Sequence, residues 1–340
     1  MVFLVAAWNY PYLTAVNALI PALMAGNCVI LKHARQTLLV GEALAAAAHA
    51  ANFPEGVLTH LVVSHEQAAR IIADPAIDHV NFTGSVAGGH EVQNAARTRF
   101  ISMGLELGGK DAAYVRADAD INYAAEQLVD GSFFNSGQSC CGIERIYVAR
   151  AQFDAFVDRA VEITRGYQLG DPLDPETSLG PVINAAAART IRATIAEAVQ
   201  QGATSLIEDT AFPYTSHPAD TYLAPQILTN VTHDMRVMRE ETFGPVVGIM
   251  AVDSDAEAVS LMNDSVYGLT ASVWTQDLEA AEAIGNQLRV GTLFMNRCDY
   301  VDPALAWTGW GDTGRGATLS RLGYDQLTRP MSFHLKTETQ

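Results

Sequence analysis

The side chains most able to do chemistry fall in a few short motifs. Asn135–Cys141 reads NSGQSCC. Gly137 lets the chain turn sharply, so a cysteine just beyond it can be presented from a loop. A thiolate there is a strong nucleophile, and its pKa falls beside a helix N-terminus or a cation. A buried cysteine pair acting as two small hydrophobes is the plainer alternative, and residue types alone leave both open. Leu105–Lys110 reads LELGGK. A carboxylate set between leucines has a raised pKa and suits general-base work near neutral pH. Otherwise Glu106 caps a helix or pairs with Lys110.

Four further motifs could bind or polarise a ligand. Phe82–Gly89, FTGSVAGG, sits at a strand-to-helix junction, where backbone N–H groups and the helix dipole favour a phosphate. It is not GxGxxG, so the common dinucleotide fingerprint is absent, and a plain turn fits as well. Trp8-Asn9-Tyr10-Pro11 follows the first strand; the Asn9 amide could donate to a developing oxyanion or simply shape an X-Pro turn. Lys32 ends the second strand, where it meets a cofactor oxygen or solvent. Glu240–Pro245, EETFGP, reads as a loop in which either glutamate could hold a ribose hydroxyl or cap a helix.

These motifs need elements to hold them. Apolar runs at Val2–Ala7, Cys28–Lys32, Val57–Val63, His79–Phe82 and Phe100–Leu107 read as strands. Between them, Thr14–Ala25, Thr37–Ala51 and Glu66–Ala73 have helical spacing, and another helix follows Ser85. A second series runs strand Ala112–Val115, helix Tyr123–Asn135, strand Ile143–Ala149, helix Gln152–Tyr167, a Gly/Pro/Asp loop at 169–181 and helix Ala185–Gln201. This βαβα rhythm predicts parallel sheets covered by helices, with ligands at the carboxyl ends of strands.

The whole chain sets limits. It has 340 residues, 49% hydrophobic and 17% charged, enough for two compact units with real cores. Its net charge of −17 argues against nucleic acid or an anionic membrane as the main partner. The apolar start, MVFLVAAW, lacks the basic flank of a signal peptide and is too short to span a bilayer. Four cysteines in no framework spacing predict a reducing, cytoplasmic setting and no metal site.

In succession, WNYP, K-x-x-x-Q-T, FTGS, LELGGK, GQSC and EETFGP resemble the aldehyde dehydrogenase superfamily. The resemblance runs from about Val2 to the tail, where Asn296-Arg297 and Asp312–Gly316 are similar to late loops of that family. It implies an α/β fold: a parallel Rossmann-like cofactor sheet (1–108), a second α/β catalytic domain (109–311) and a C-terminal return segment (312–340). In that segment Met331–Leu335 is a candidate oligomerisation strand. It further implies Cys140 as nucleophile, Glu106 as general base and Asn9 as oxyanion donor. For NAD or NADP it implies Lys32 at the adenosine ribose, Gly84, Ser85 and Gly89 at the pyrophosphate, Glu241 and Phe243 at the nicotinamide riboside, and Trp8 and Leu107 as pocket walls. The implied reaction turns a small aldehyde into its acid through a thioester. Glu106 favours water over coenzyme A as acyl acceptor, and the implied assembly is a homodimer or homotetramer.

The sequence departs from the family in three ways. Members are usually longer at the N-terminus, so the cofactor domain is expected to be N-terminally short. After Lys32 stand His33, Ala34 and Arg35, where the family commonly has Pro next and Glu at position 35; Arg35 removes a repulsion and could pair with a 2′-phosphate, so NADP is expected to be tolerated or preferred, unless Arg35 simply points to solvent. The pocket positions Tyr10, Thr14, Asn17 and Cys298 are polar enough for a hydroxylated or short semialdehyde. Two other readings stand beside the enzyme: a truncated, catalytically impaired relative with a structural or regulatory role, and a thioester hydrolase that binds no dinucleotide.

Overall fold

The computed structural model describes residues 1–338, so the last two residues of the expected return segment lie outside it. The chain divides into two compact units. The first comprises Met1–Glu106, Asp302–Trp307 and the segment from Arg315; the second comprises Leu107–Val301 and Thr308–Gly314.

In the first unit strands and helices alternate: β1 (Val2–Val5), α1 (Leu13–Met24), β2 (Val29–Lys32), α2 (Leu38–Ala50), β3 (Leu58–His60), α3 (His65–Ala73), β4 (His79–Thr83), α4 (Val86–Ala96) and β5 (Ser102–Glu106). The strands are parallel, in the order β5-β4-β1-β2-β3, and Arg315 of a two-residue strand extends the order beyond β5. The order reverses direction at β1, whose neighbours are β2 and β4. A parallel strand buried on both faces must be apolar throughout, and VFLV of β1 meets that demand. Val2 and Leu4 pack with Ala15, Ala18, Leu19 and Ala22 of α1, whose small side chains let the helix lie close to the sheet. Gly26, at φ +84°, takes the left-handed turn that stops α1. Ser64 and Gln67 form a reciprocal capping box on α3, and Ser85 caps α4.

The second unit carries β6 (Asp111–Val115), α5 (Ile121–Phe133), β7 (Ile143–Ala149), α6 (Phe153–Arg165), α7 (Ala185–Gln200), β8 (Thr204–Ser205), β9 (Gln226–Thr229), α8 (Arg236–Arg239), β10 (Val246–Val252), α9 (Asp255–Asn263), β11 (Tyr267–Gly268), β12 (Thr270–Trp274), α10 (Leu278–Gly285) and β13 (Thr292–Met295). Its main sheet runs β13-β12-β6-β7-β10-β9-β8, parallel except for the last pair. Alternation along β6 and β7 feeds two cores. Ala112, Tyr114 and Tyr147 join one face, while Ala113, Val115, Ile146 and Val148 join the other.

The observed ends differ from the sequence expectations for local reasons. The third strand stops at His60 because the chain turns toward the Ser64 cap and leaves Val62 exposed. The fifth starts at Ser102, since Phe100 projects fully into solvent. Asp120 accepts the Tyr123 N–H and starts α5 two residues before the expected Tyr123, while left-handed Asn135 and Ser136 lie beyond its end. Among the described residues Met331–Leu335 pairs with no strand, and Met331, Phe333 and Leu335 are exposed. Among the described residues no helix is long and apolar enough to cross a membrane.

Candidate active site

In the first unit the candidate residues gather on one edge of the sheet. Asn9 follows β1, Lys32 ends β2, Ser85 follows β4 and Glu106 ends β5. That edge is the carboxyl-terminal one, and the reversal of strand order at β1 is where open α/β sheets leave a crevice for ligands.

Trp8, Asn9 and Tyr10 form a bend and are partly buried. Thr14, one turn along α1 from Tyr10, donates its hydroxyl to the Ala7 carbonyl at 3.1 Å, so that hydroxyl is engaged by the turn itself. Asn17 lies three residues further on the same helix, also partly buried. Lys32 is buried, and burial together with the charge of Arg35 lowers its pKa. Arg35 itself is exposed, at the start of a short 3-10 turn.

The start of α4 fits a phosphate. Ser85 Oγ accepts the Gly88 N–H at 3.2 Å, and the Gly89 N–H bonds the Ser85 carbonyl at 2.9 Å. A Cβ at either Gly84 or Gly88 would lie 2.6 Å from the end of the Phe82 ring, so a side chain at either position would push that ring aside. The result is bare backbone at the positive end of an eleven-residue helix.

Glu106 is partly buried, and both carboxyl oxygens have hydroxyl donors. Thr318 donates to Oε1 at 2.5 Å and Thr83 to Oε2 at 3.4 Å. Burial raises the carboxyl pKa, and the two hydroxyls oppose that rise. Lys110 is not its partner: the lysine is fully buried and paired with Glu144.

In the second unit the candidates lie at the amino-terminal ends of strands. Cys140 precedes β7, Gly109 precedes β6, and Glu241 and Phe243 precede β10. Three consecutive left-handed residues, Asn135 (φ 53°), Ser136 (φ 57°) and Gly137 (φ 69°), bend the chain after α5. Gln138 then pins the loop: its Oε1 accepts the Ile183 N–H at 2.7 Å and its Nε2 donates to the Asn135 carbonyl at 3.0 Å. Ser136 donates to the Gly180 carbonyl at 2.7 Å.

The adjacent cysteines are thereby made unequal. Cys140 is partly accessible, while Cys141 is buried and donates to Asp299 Oδ1 at 2.8 Å. Ser139 donates to the same oxygen at 3.3 Å. The neighbouring Cys140 thiol, burial and the Asp299 charge together raise the Cys141 pKa well above the ordinary thiol value. Burial lifts Asp299 to about 6. Cys298 packs its sulfur against Gly131 of α5 and donates to the Gln127 carbonyl at 3.5 Å, and burial raises its pKa as well.

Glu144 organises the other loop. Its buried carboxylate receives Lys110 Nζ, the Thr242 N–H at 2.8 Å and the Phe243 N–H at 2.9 Å. Phe243 is held at φ 52°, a strained value for an aromatic residue. Glu241 Oε1 accepts the Gly109 N–H at 3.1 Å; burial, then the Glu144 charge, push its pKa up to about 7. Leu107 is buried and its N–H bonds the Thr313 carbonyl at 2.9 Å.

Sequence reasoning gave no role to Glu144, Asp299, Thr83, Thr318 or His33. Glu144 offered a signal, a charge inside a strand that otherwise reads as buried, and His33 stood where the family commonly has proline.

The sequence model of the Aldehyde dehydrogenase family matches residues 1–333. Lactaldehyde dehydrogenase of Escherichia coli (strain K12) is 32% identical over 332 residues, which are 97% of this chain and 68% of that protein. Succinate-semialdehyde dehydrogenase [NADP(+)] of Deinococcus radiodurans is 34% identical over 94% of this chain and 66% of its own length. The crystal structure of an NAD-dependent aldehyde dehydrogenase from Sinorhizobium meliloti superposes with a TM-score of 0.92 at 33% identity, covering 98% of this chain and 68% of that one. Because the family model matches residues 1–333 of its 340, this chain belongs to the aldehyde dehydrogenase family.

Proposed function

We propose that this chain, an NAD(P)-dependent aldehyde dehydrogenase by family, oxidises a small aldehyde to its acid with Cys140 as nucleophile. One observation carries the assignment: of the two adjacent cysteines, Cys140 is accessible and Cys141 is buried, bonded to Asp299.

A nicotinamide cofactor would be held by residues that suit it chemically. Lys32 and the start of α4, with Gly84, Ser85 and Gly89, offer cationic and N–H donors to ribose and pyrophosphate; Glu241 and Phe243 suit the nicotinamide riboside, with Trp8 and Leu107 as walls. When bound, the oxidised nicotinamide supplies the acceptor for the hydride that leaves the substrate carbon.

The chain does the rest. Cys140 sulfur, as thiolate, forms a bond to the aldehyde carbon, and the carbonyl pair moves to oxygen. That oxyanion is stabilised by the Asn9 amide and the Cys140 backbone N–H. Loss of hydride leaves a thioester on Cys140. Glu106 takes a proton from water, the resulting oxygen nucleophile adds to the thioester, and the carbon–sulfur bond breaks to release the acid and the thiolate. Tyr10 and Asn17 support a short, oxygenated substrate, whereas the Thr14 hydroxyl is spent on the Ala7 carbonyl and the Cys298 sulfur on the Gln127 carbonyl. Arg35 supports acceptance of NADP beside NAD. A homo-oligomer and a reducing cytoplasm complete the reading, the latter supported by four free cysteines.

The test is NADH or NADPH formation by the purified chain on an aldehyde panel, with Cys140→Ala and Cys141→Ala in parallel. Turnover lost in the first variant and retained in the second supports the assignment. Turnover retained in Cys140→Ala overturns it.

A further inference from the structure

The turn carrying Asn9 is fastened at both ends, and each fastening uses a backbone carbonyl. At the start, the Thr14 hydroxyl holds the Ala7 carbonyl at 3.1 Å, and the Ala6 N–H bonds the Lys32 carbonyl at 3.0 Å. At the finish, the Pro11 carbonyl lies 2.8 Å from Nε2 of His33, the residue that follows β2. Asn9 stands midway between Ala7 and Pro11, so the backbone from which its amide projects is held on both sides.

The state of the His33 ring follows from its neighbours. Nδ1 lies 3.0 Å from the Ala34 N–H and 2.8 Å from the Thr37 hydroxyl. A backbone N–H can only donate, so Nδ1 is the acceptor and the ring proton sits on Nε2, aimed at Pro11. The ring is 2% exposed, and burial lowers its pKa, which keeps it neutral. A buried imidazole with both nitrogens engaged is fixed in place, because freeing either one leaves a polar atom without water.

We propose that His33 is a positioning residue for Asn9: its Nε2–H holds the Pro11 carbonyl and so aims the Asn9 amide at the oxyanion. The inference rests on the reading of Asn9 as oxyanion donor. It is particular to this chain, because the proline common at this position in the family has no side-chain N–H to give.

The experiment is a double-mutant cycle on the full chain, reading aldehyde kcat/KM at saturating cofactor. Asn9→Ala alone is expected to lose about 10²–10³-fold. His33→Asn, whose amide reaches only the Nδ1 position, is expected to lose roughly tenfold or more, with the cofactor KM little changed. His33→Gln, whose amide reaches the Nε2 position, keeps most of the rate. In the Asn9→Ala background, His33→Asn adds little further loss. Wild-type rates in His33→Asn, or losses that multiply in the double variant, overturn the inference and leave Asn9 standing. A wild-type rate in Asn9→Ala overturns the Asn9 reading, and this inference with it. Should His33→Asn fail to fold, Thr37→Val removes one Nδ1 donor at a partly exposed position. It must then show a smaller loss that also disappears in the Asn9→Ala background.

Discussion

Thr83 and Glu106 face each other in register across β4 and β5, and the threonine hydroxyl donates to the carboxyl group at 3.4 Å. The sheet itself thus supplies one of the two donors on the proposed base. Thr318 supplies the other, at 2.5 Å. The proton affinity of Glu106 is a balance between burial, which raises it, and two neutral hydroxyls, which lower it.

Removing the nearer hydroxyl must tip that balance. Glu106 works as a base only when ionised, so turnover climbs with pH as its proton is lost. In Thr318→Val the carboxylate has lost a donor, its pKa rises further, and the acid limb of the pH–kcat profile moves to higher pH. Thr318→Ser retains the hydroxyl and the original limb. Profiles for the three proteins that coincide would count against Glu106 as the base or against Thr318 as its tuner.

Much of the architecture was legible, because β1 and most of β2 are short apolar runs and α3, α4 and α5 begin on Ser or Asp caps. The motifs fell at strand ends for the same reason: turns and glycines punctuate the apolar runs. The hydrogen-bond partners were not legible. Lys110 and Glu144 are 34 residues apart, and Glu106 and Thr318 are 212 apart. No period in a sequence links such residues; only the closed sheet does. The inequality of Cys140 and Cys141 was hidden likewise, since it depends on Asp299 from a loop 158 residues beyond Cys141.

The Lys110–Glu144 pair gives a stability prediction. Both side chains are almost fully buried, so removing one partner strands a charge in a site with little water. Lys110→Met should cost about 3–5 kcal/mol in denaturant unfolding. Adding Glu144→Gln should recover part of that, because the amide oxygen still accepts from Thr242 and Phe243 without carrying charge. A double variant no more stable than Lys110→Met would show that the buried charge is not the source of the cost.

Arg35 gives a cofactor prediction. Its side chain is exposed and follows Lys32 by three positions. Arg35→Glu places a negative charge where a 2′-phosphate would sit. Efficiency with NADP should fall at least about tenfold, with NAD little changed or improved. Equal effects on the two cofactors would place Arg35 away from the 2′ position.

Gly109 gives the sharpest steric prediction. Its missing side chain is what allows the Cys140 loop to lie where it does: a Cβ there would be 2.1 Å from the Cys140 carbonyl oxygen, far inside van der Waals contact. That oxygen belongs to the backbone and cannot swing aside as a side chain would. Gly109→Ala must therefore displace either the Cys140 loop or Gly109 itself, whose N–H holds Glu241. The loop is also pinned through Gln138 and Ser136, so the strain falls on the residues between those pins and β7. A shift of about 1 Å in a nucleophile costs up to ~10²-fold in rate. The expected result is a folded protein whose thiol-alkylation rate at Cys140 and aldehyde turnover both fall by about tenfold or more. Alkylation and turnover at wild-type levels would mean that the loop is softer than its hydrogen bonds indicate, and that Cys140 does not depend on this close approach.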